Sequence, residues 1–143
     1  MLEWSEQFET GHSLIDTQHK LLITYCNRLG TIAQNSNPNR HEAEFILQFI
    51  GFLENYANVH FKQEEGCMES YRCPAHQENK QAHRKFLVVF RQFKQRFVTG
   101  GFRPEVLTEF SDFCGNWIKQ HILQIDTQIK PCLRMADKPG PPV

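Results

Sequence analysis

The feature that most constrains this chain is a set of four apolar stripes, each interrupted by histidine at one level. One stripe reads Ile15, His19, Leu22, Cys26, Leu29, Ala33, at spacings of 4, 3, 4, 3 and 4. A second reads Ile46, Phe49, Leu53, Tyr56, His60 and then Glu64. A third reads Asn79, His83, Phe86, Phe90, Phe93, Phe97, and a fourth Leu107, Phe110, Cys114, Trp117, His121. Residues three and four apart share one face of an α-helix, so each string is the inward seam of one helix. Four such seams predict an all-α fold: an antiparallel up-down-up-down four-helix bundle with an N-terminal arm.

Local punctuation sets the expected boundaries. The first 16 residues, with Trp4, Phe8, Gly11 and Asp16, have no sustained period and read as the arm. The first helix runs from Thr17 to about Asn35 and stops at Asn35-Ser36-Asn37-Pro38-Asn39. The second runs from about Arg40 to Glu69. The third opens at Pro74 and stops at Gly100-Gly101; the fourth opens at Pro104 and is closed by Pro131. Residues 1–135 form the bundle, and 136–143 read as a linker or disordered tail because Lys138-Pro139-Gly140-Pro141-Pro142-Val143 cannot be helical.

Composition removes several function classes. The 143 residues carry 16 basic and 16 acidic side chains, a net charge of zero, which disfavours nucleic acid and anionic membrane as partners. No apolar run approaches the ~20 residues of a membrane span. The acidic start, Met1 to Glu6, lacks a signal-peptide core, so the expected location is cytoplasmic. Five cysteines without a C-x-x-C pair argue against a disulfide framework. Cys26, Cys114 and Cys132 read as small hydrophobes, and Cys67 and Cys73, flanking a loop, as the more reactive thiols.

The polar exceptions in the four seams fall at one height. At ~1.5 Å per residue, His19 lies ~26 Å before the first loop and His60 ~30 Å after it. His60 and His83 each lie ~9 residues from the second loop, and Glu64 and Asn79 each ~5. His83 lies ~16 residues before the third loop and His121 ~17 after it. A buried polar group without a partner costs about 2 kcal/mol or more, so these groups must satisfy one another or a shared ligand. A cation satisfies several neutral imidazoles at once. Glu64 stands one turn from His60, and Asp126, five beyond His121, reaches back if the fourth helix is distorted before Pro131. Two carboxylates arriving from two helices suit a pair of metals, and mixed imidazole and carboxylate donors favour iron, manganese or zinc over calcium or magnesium. The Glu-x-x-His string of ferritin-like sites occurs only at Glu9-Thr10-Gly11-His12, in the arm and unpaired.

These residues give the sequence a family likeness. With Trp4 and Phe8, Ile15-Asp16-Thr17-Gln18-His19-Lys20, His60-Phe61-Lys62-Gln63-Glu64-Glu65 and Met68, Asn79-Lys80-Gln81-Ala82-His83-Arg84-Lys85-Phe86, and Trp117-Ile118-Lys119-Gln120-His121-Ile122 with Asp126, the chain resembles the bacterial hemerythrins over about residues 4 to 133. The resemblance implies two iron ions joined by an oxo or hydroxo bridge that bind O2 reversibly. It implies His19 and His60 on the iron that takes O2, His83 and His121 on the other, and Glu64 and Asp126 across both. It implies an O2 pocket of Leu22, Phe61, Trp117, Ile118 and Ile122.

One position departs from that pattern. The family carries a third histidine on the second iron where this chain has Asn79. Asn79 either coordinates weakly, leaves the place to water or an anion, or is replaced by His76, which is ~10 Å along the helix from His83. His12 and His41 lie outside the seams and read as solvated. A weaker donor at Asn79 favours water entry and faster oxidation, which shifts the expectation from carrier to sensor. The reading is an O2 or redox sensor domain, the N-terminal input module of a signalling protein such as a diguanylate cyclase. Its partners are O2 or small anions and a C-terminal output domain. The alternatives are a stand-alone O2 carrier or store, a di-iron oxidase or peroxidase, and a metal-free structural bundle. The stripes show no general acid or substrate cleft, so the domain itself reads as a non-enzyme.

Overall fold

Four long helices carry the four stripes in the computed structural model, which describes residues 1–34 and 38–136. They are α1 (Ser13–Gln34), α2 (Arg40–Ser70), α3 (His76–Gly100) and α4 (Pro104–Gln124). A short 3-10 turn, Asp126–Gln128, leads into a fifth helix, α5 (Ile129–Ala136). No strand occurs among the described residues. Each long helix packs on its chain neighbours, and α1 closes on α4, which is the up-and-down topology that short connections dictate. No described helix is long and apolar enough to cross a membrane.

The seams face inward as their spacing requires. Leu22, Leu29, Leu53, Phe90, Leu107, Phe110 and Cys114 form one continuous core. Tyr56 and Trp117 are only half-buried, and their neighbours Ala57 and Ile118 fill the interior instead. The two sides of the bundle pack differently. Between α3 and α4 lies a stack of rings: Phe90 and Phe93 each meet Phe110 at 5.1 Å, and Phe86 meets Trp117 at 4.3 Å. Between α1 and α4, Gly30 faces Ser111, whose Oγ would lie 3.4 Å from an added Cβ. Small residues let these two helices approach closely, whereas rings hold α3 and α4 apart.

Several helix ends differ from the sequence expectation. The arm is shorter than 16 residues. It contains a 3-10 turn at Glu6–Phe8, and α1 already begins at Ser13. Asp16 lies in the first turn of α1, where its Oδ1 accepts from the backbone N–H and hydroxyl of Thr10 at 2.9 and 2.8 Å. Asn27 ties the chain start to α1 by accepting from Leu2 N and donating to Leu2 O, at 3.1 and 2.8 Å. Pro74 does not open the third helix. It sits in the preceding turn, and α3 starts two residues later. Pro131 does not close the fourth. That helix ends at Gln124, and Pro131 is the third residue of α5, within its first turn, where proline is tolerated.

Other punctuation matches. The Asn39 side chain accepts from Glu42 N at 2.9 Å and caps α2. Gly101 ends α3 with φ 74°, a conformation that suits a residue without Cβ. Asn35, Ser36 and Asn37 of the expected loop, and residues 137–143 of the expected tail, lie outside the described residues. Ala136, assigned to that tail, is the last residue of α5.

Phe110 is fully buried among three other phenylalanines. Phe110→Ala is expected to lower the unfolding free energy by about 3–5 kcal/mol, and Asn39→Ala by about 1 kcal/mol. Urea unfolding of the two variants checks both; equal losses would contradict this assignment of core and cap.

Candidate metal centre

Seven polar side chains meet in the interior at the level where the stripes are interrupted. They are His19 from α1, His60 and Glu64 from α2, Asn79 and His83 from α3, His121 from α4, and Asp126 from the 3-10 turn after it. None is more than 6% exposed. Asp126 reaches the cluster because α4 stops at Gln124 and the chain tightens into the 3-10 turn, which re-aims the carboxylate. The sequence expectation of a distorted region ahead of Pro131 is met at Ile125.

The carboxylates divide the cluster into two halves. Glu64 Oε2 lies 2.9 Å from His19 Nε2 and 3.3 Å from His60 Nε2. Glu64 Oε1 lies 3.1 Å from His83 Nε2 and 3.9 Å from His121 Nε2. Asp126 repeats the pattern, with Oδ2 3.1 Å from His19 Nε2 and Oδ1 3.1 Å from His121 Nε2. Two groups therefore form, His19 with His60 and Glu64, and His83 with His121, Glu64 and Asp126; within each group the donor atoms lie within 4.8 Å of one another.

Asn79 belongs to the second half. Its Oδ1 is 2.8 Å from His121 Nε2, and its Nδ2 donates to Glu64 Oε1 at 3.0 Å. The amide is thus part of the cluster, hydrogen-bonded within it. His76 opens α3, is half-buried, and belongs to neither group. His41 is exposed, as expected. His12 is not simply solvated: it is half-buried, and its Nδ1 accepts from Ile15 N at 3.4 Å at the start of α1.

The donor set fits a cation better than it fits itself. His60 Nδ1 meets Gln18 Oε1 at 2.7 Å, and His83 Nδ1 meets Glu65 Oε2 at 2.9 Å. These outer acceptors favour the proton on Nδ1 and leave each Nε2 lone pair facing inward, the arrangement metal-ligating histidines adopt. His83 and His121 then present Nε2 atoms 3.1 Å apart. Asp126 Oδ1 is buried and makes no hydrogen bond, its approach to His121 notwithstanding. A buried, unpaired carboxylate oxygen beside converging lone pairs is satisfied by a positive ion.

The sequence did not single out Gln18, Glu65 or Gln63, whose Oε1 accepts from Gln18 Nε2. The available signal was adjacency: Gln18 precedes His19, and Glu65 follows Glu64. Aromatic rings cover the imidazoles as well. Phe61 stacks on His83 at 3.8 Å and 9°, and Trp117 on His121 at 4.3 Å and 12°. The five residues expected to line a pocket, Leu22, Phe61, Trp117, Ile118 and Ile122, do line one cavity. It measures about 10 Å³ and is bounded also by His19, His60, His121 and Asp126.

The protonation balance of the bare cluster is uneven. Burial pushes His19 down, but hydrogen bonds and charge from Asp126 and Glu64 outweigh it and raise its pKa to about 10. Burial lowers His60, although Glu64 pulls the other way. Burial pushes Glu64 up, yet His60, His19 and His83 hold it well below the usual carboxylate range. Burial also disfavours charge on His83, but Glu64 and Glu65 raise it.

The fold and these contacts define a class: a four-helix bundle with a buried, carboxylate-spanned cation site. The chain belongs to the hemerythrin family, since the family model described as "Hemerythrin HHE cation binding domain" matches residues 10–133. It is 27% identical to the bacteriohemerythrin of Clostridium acetobutylicum over 90% of this chain and 98% of that protein. It is also 27% identical to the myohemerythrin of Sipunculus nudus, over 89% of each. A crystal structure of wild-type hemerythrin superposes with a TM-score of 0.80 at 28% identity, covering 93% of this chain and 98% of the other.

For the metal-free chain these shifts set a pH optimum. His19 is raised, so its contribution to stability is complete below 6.5 and is lost as pH climbs toward 10. His60 is lowered, so protons drawn by the unfolded chain weaken folding below 6.5. Glu64 is lowered, so its contribution, complete above 4.5, is lost on further acidification. Denaturation midpoints of chelator-treated protein should peak near pH 6.5 and decline on both sides; a flat profile would contradict the charge balance.

Proposed function

We propose that the centre holds two iron ions, that the domain binds O2 reversibly, and that it serves as an O2- and redox-sensing input module in the cytoplasm. His19, His60, Glu64 Oε2 and Asp126 Oδ2 would hold one iron. His83, His121, Glu64 Oε1, Asp126 Oδ1 and the Asn79 amide oxygen would hold the other. Family membership and the paired orientation of both carboxylates support this assignment. When bound, the irons supply the electrons that O2 draws on.

The chain's own residues set the conditions. Glu64 and Asp126, both buried, would offset part of the positive charge of two cations in the interior. Gln18 and Glu65 hold the His60 and His83 rings with Nε2 inward. Leu22, Phe61, Trp117, Ile118 and Ile122 exclude water, and their cavity is close to the lower limit for one water-sized molecule. Two of the three histidines on that cavity, His19 and His60, belong to the first half, which favours this half as the O2 side. The domain itself performs no catalysis in this reading.

Asn79 carries the choice of sensor over carrier. An amide oxygen is a weaker donor than an imidazole nitrogen, and Asn79 stands fully buried in the second half. An amide in that position would hold a cation less firmly than an imidazole, so water or a small anion would enter more readily and oxidation in air would outpace long-lived storage. The sensory role makes an output domain such as a diguanylate cyclase the natural fusion partner. The second reading is a stand-alone carrier. It is favoured by the relatives named above, which this fold covers over 98% and 89% of their own lengths.

Metal analysis and the electronic spectrum test the cofactor. Two irons per chain are expected, with the spectrum changing on anaerobic reduction and again on O2 exposure; one zinc, or no metal, would refute it. Asn79→His is expected to slow oxidation of the reduced protein in air several-fold. An unchanged rate in that variant would remove the ground for preferring sensor to carrier.

A further inference from the structure

Away from the cation centre, three of the five cysteines gather at the end of the bundle. Cys67 lies near the end of α2, Cys73 in the turn to α3, and Cys132 on α5. They share a second, smaller apolar cluster with Met68, Ile125 and Ile129. Cys73 is buried in it and Cys132 half-buried at its edge. Both thiols also approach one acceptor, the carbonyl oxygen of Gln128, at 3.4 and 3.3 Å. Sequence reading took Cys132 for a small hydrophobe; it does pack in this apolar cluster, and the fold also brings it and Cys73 to one carbonyl.

The two thiols are not equivalent. Cys73 is 4% exposed. Cys132 is half-buried and lines an open cleft of about 480 Å³ together with Arg72, Pro131 and Met135. Burial and the neighbouring thiols push Cys73 up to about 12, so it stays protonated at neutral pH. Cys132 lines the cleft and is open to small solutes there, whereas Cys73 is not among the residues that line it. The remaining pair, Cys26 and Cys114, is sealed in the core, where burial pushes both thiols up.

We infer that Cys132 and Cys73 form a peroxide-responsive dithiol, a redox modification site separate from the cation centre, in which Cys132 reacts first and Cys73 resolves. The Cys132 thiolate attacks one oxygen of a peroxide, ROOH. An S–O bond forms, the O–O bond breaks, and ROH leaves after taking up a proton. Cys132 is oxidised to sulfenic acid by two electrons, and the peroxide is reduced by the same two. The Cys73 sulfur then attacks the Cys132 sulfur. An S–S bond forms, the S–O bond breaks, and hydroxide leaves with the Cys73 proton as water. One thiol rides on a turn and the other on the eight-residue α5, outside the four long helices. The link would fasten α5 to the α2–α3 turn, and α5 directly follows the 3-10 turn that begins with Asp126. No cation-site residue takes part, so the inference does not rest on the O2-binding reading.

The test treats the reduced, full-length protein with one equivalent of hydrogen peroxide. Free thiols are counted in denaturant, and linked peptides are mapped by mass without reduction. The count is expected to fall from five to three, with a single Cys73–Cys132 link, and to return to five with dithiothreitol. Cys132→Ser should abolish the loss; Cys73→Ser should leave Cys132 oxidised without a link; Cys67→Ser should change nothing. Five surviving thiols, a link through Cys67, or oxidation past sulfenic acid without a disulfide would each overturn the inference. Cys132 is partly exposed, so its serine variant tests the site even where Cys73→Ser disturbs folding.

Discussion

The structure hangs on one buried carboxylate. Glu64 is wholly enclosed, and imidazoles from three helices come within 3.3 Å of its two oxygens. A charge taken out of water is tolerated only where opposite or hydrogen-bonding groups replace its hydration. The replacement comes from His19 on α1, His60 on α2, and Asn79 and His83 on α3, so Glu64 pins the register of three helices at once. Asp126 does the same for α1 and α4. Sliding any helix by one turn would strand a buried charge, and the apolar seams alone would resist such a slide less specifically.

Around that constraint the two halves of the centre are built unequally. The His19 and His60 half faces a small cavity walled by apolar side chains. The His83 and His121 half is roofed by stacked rings, Phe61 on one imidazole and Trp117 on the other. The same half contains the amide of Asn79 in place of a third imidazole. Two of the cavity's three histidines belong to the first half, and the amide lies in the second. On the function proposed above, the first half would take the small neutral ligand and the second would govern how long the reduced state survives.

Much of this was legible before any coordinates. The 3.5-residue spacing of each seam predicted four helices, and counting residues from each loop placed His19, His60, His83 and His121 at one height. Glu64 and Asn79 followed from the same count. Helix ends were read less well. Proline reports where a helix tolerates a missing N–H, and Pro131 could start a helix as readily as stop one. Gln18 and Glu65 were missed because a polar residue beside a ligand looks like any solvated neighbour until a second helix sets an imidazole against it. The pairing of Cys73 with Cys132 had no sequence signal, since the turn and the last helix meet only after the bundle closes.

The sequence by itself determined the helices, the seams and the level at which polarity enters them, because helical periodicity is local and burial of apolar stripes leaves few topologies. Tertiary structure decided which carboxylate oxygen faces which pair of histidines, which outer groups hold the rings, that Asn79 joins the cluster while His76 stays outside both donor groups, and which thiols share one carbonyl. Those outcomes depend on distances of a few ångströms between side chains far apart along the chain, and only packing sets such distances.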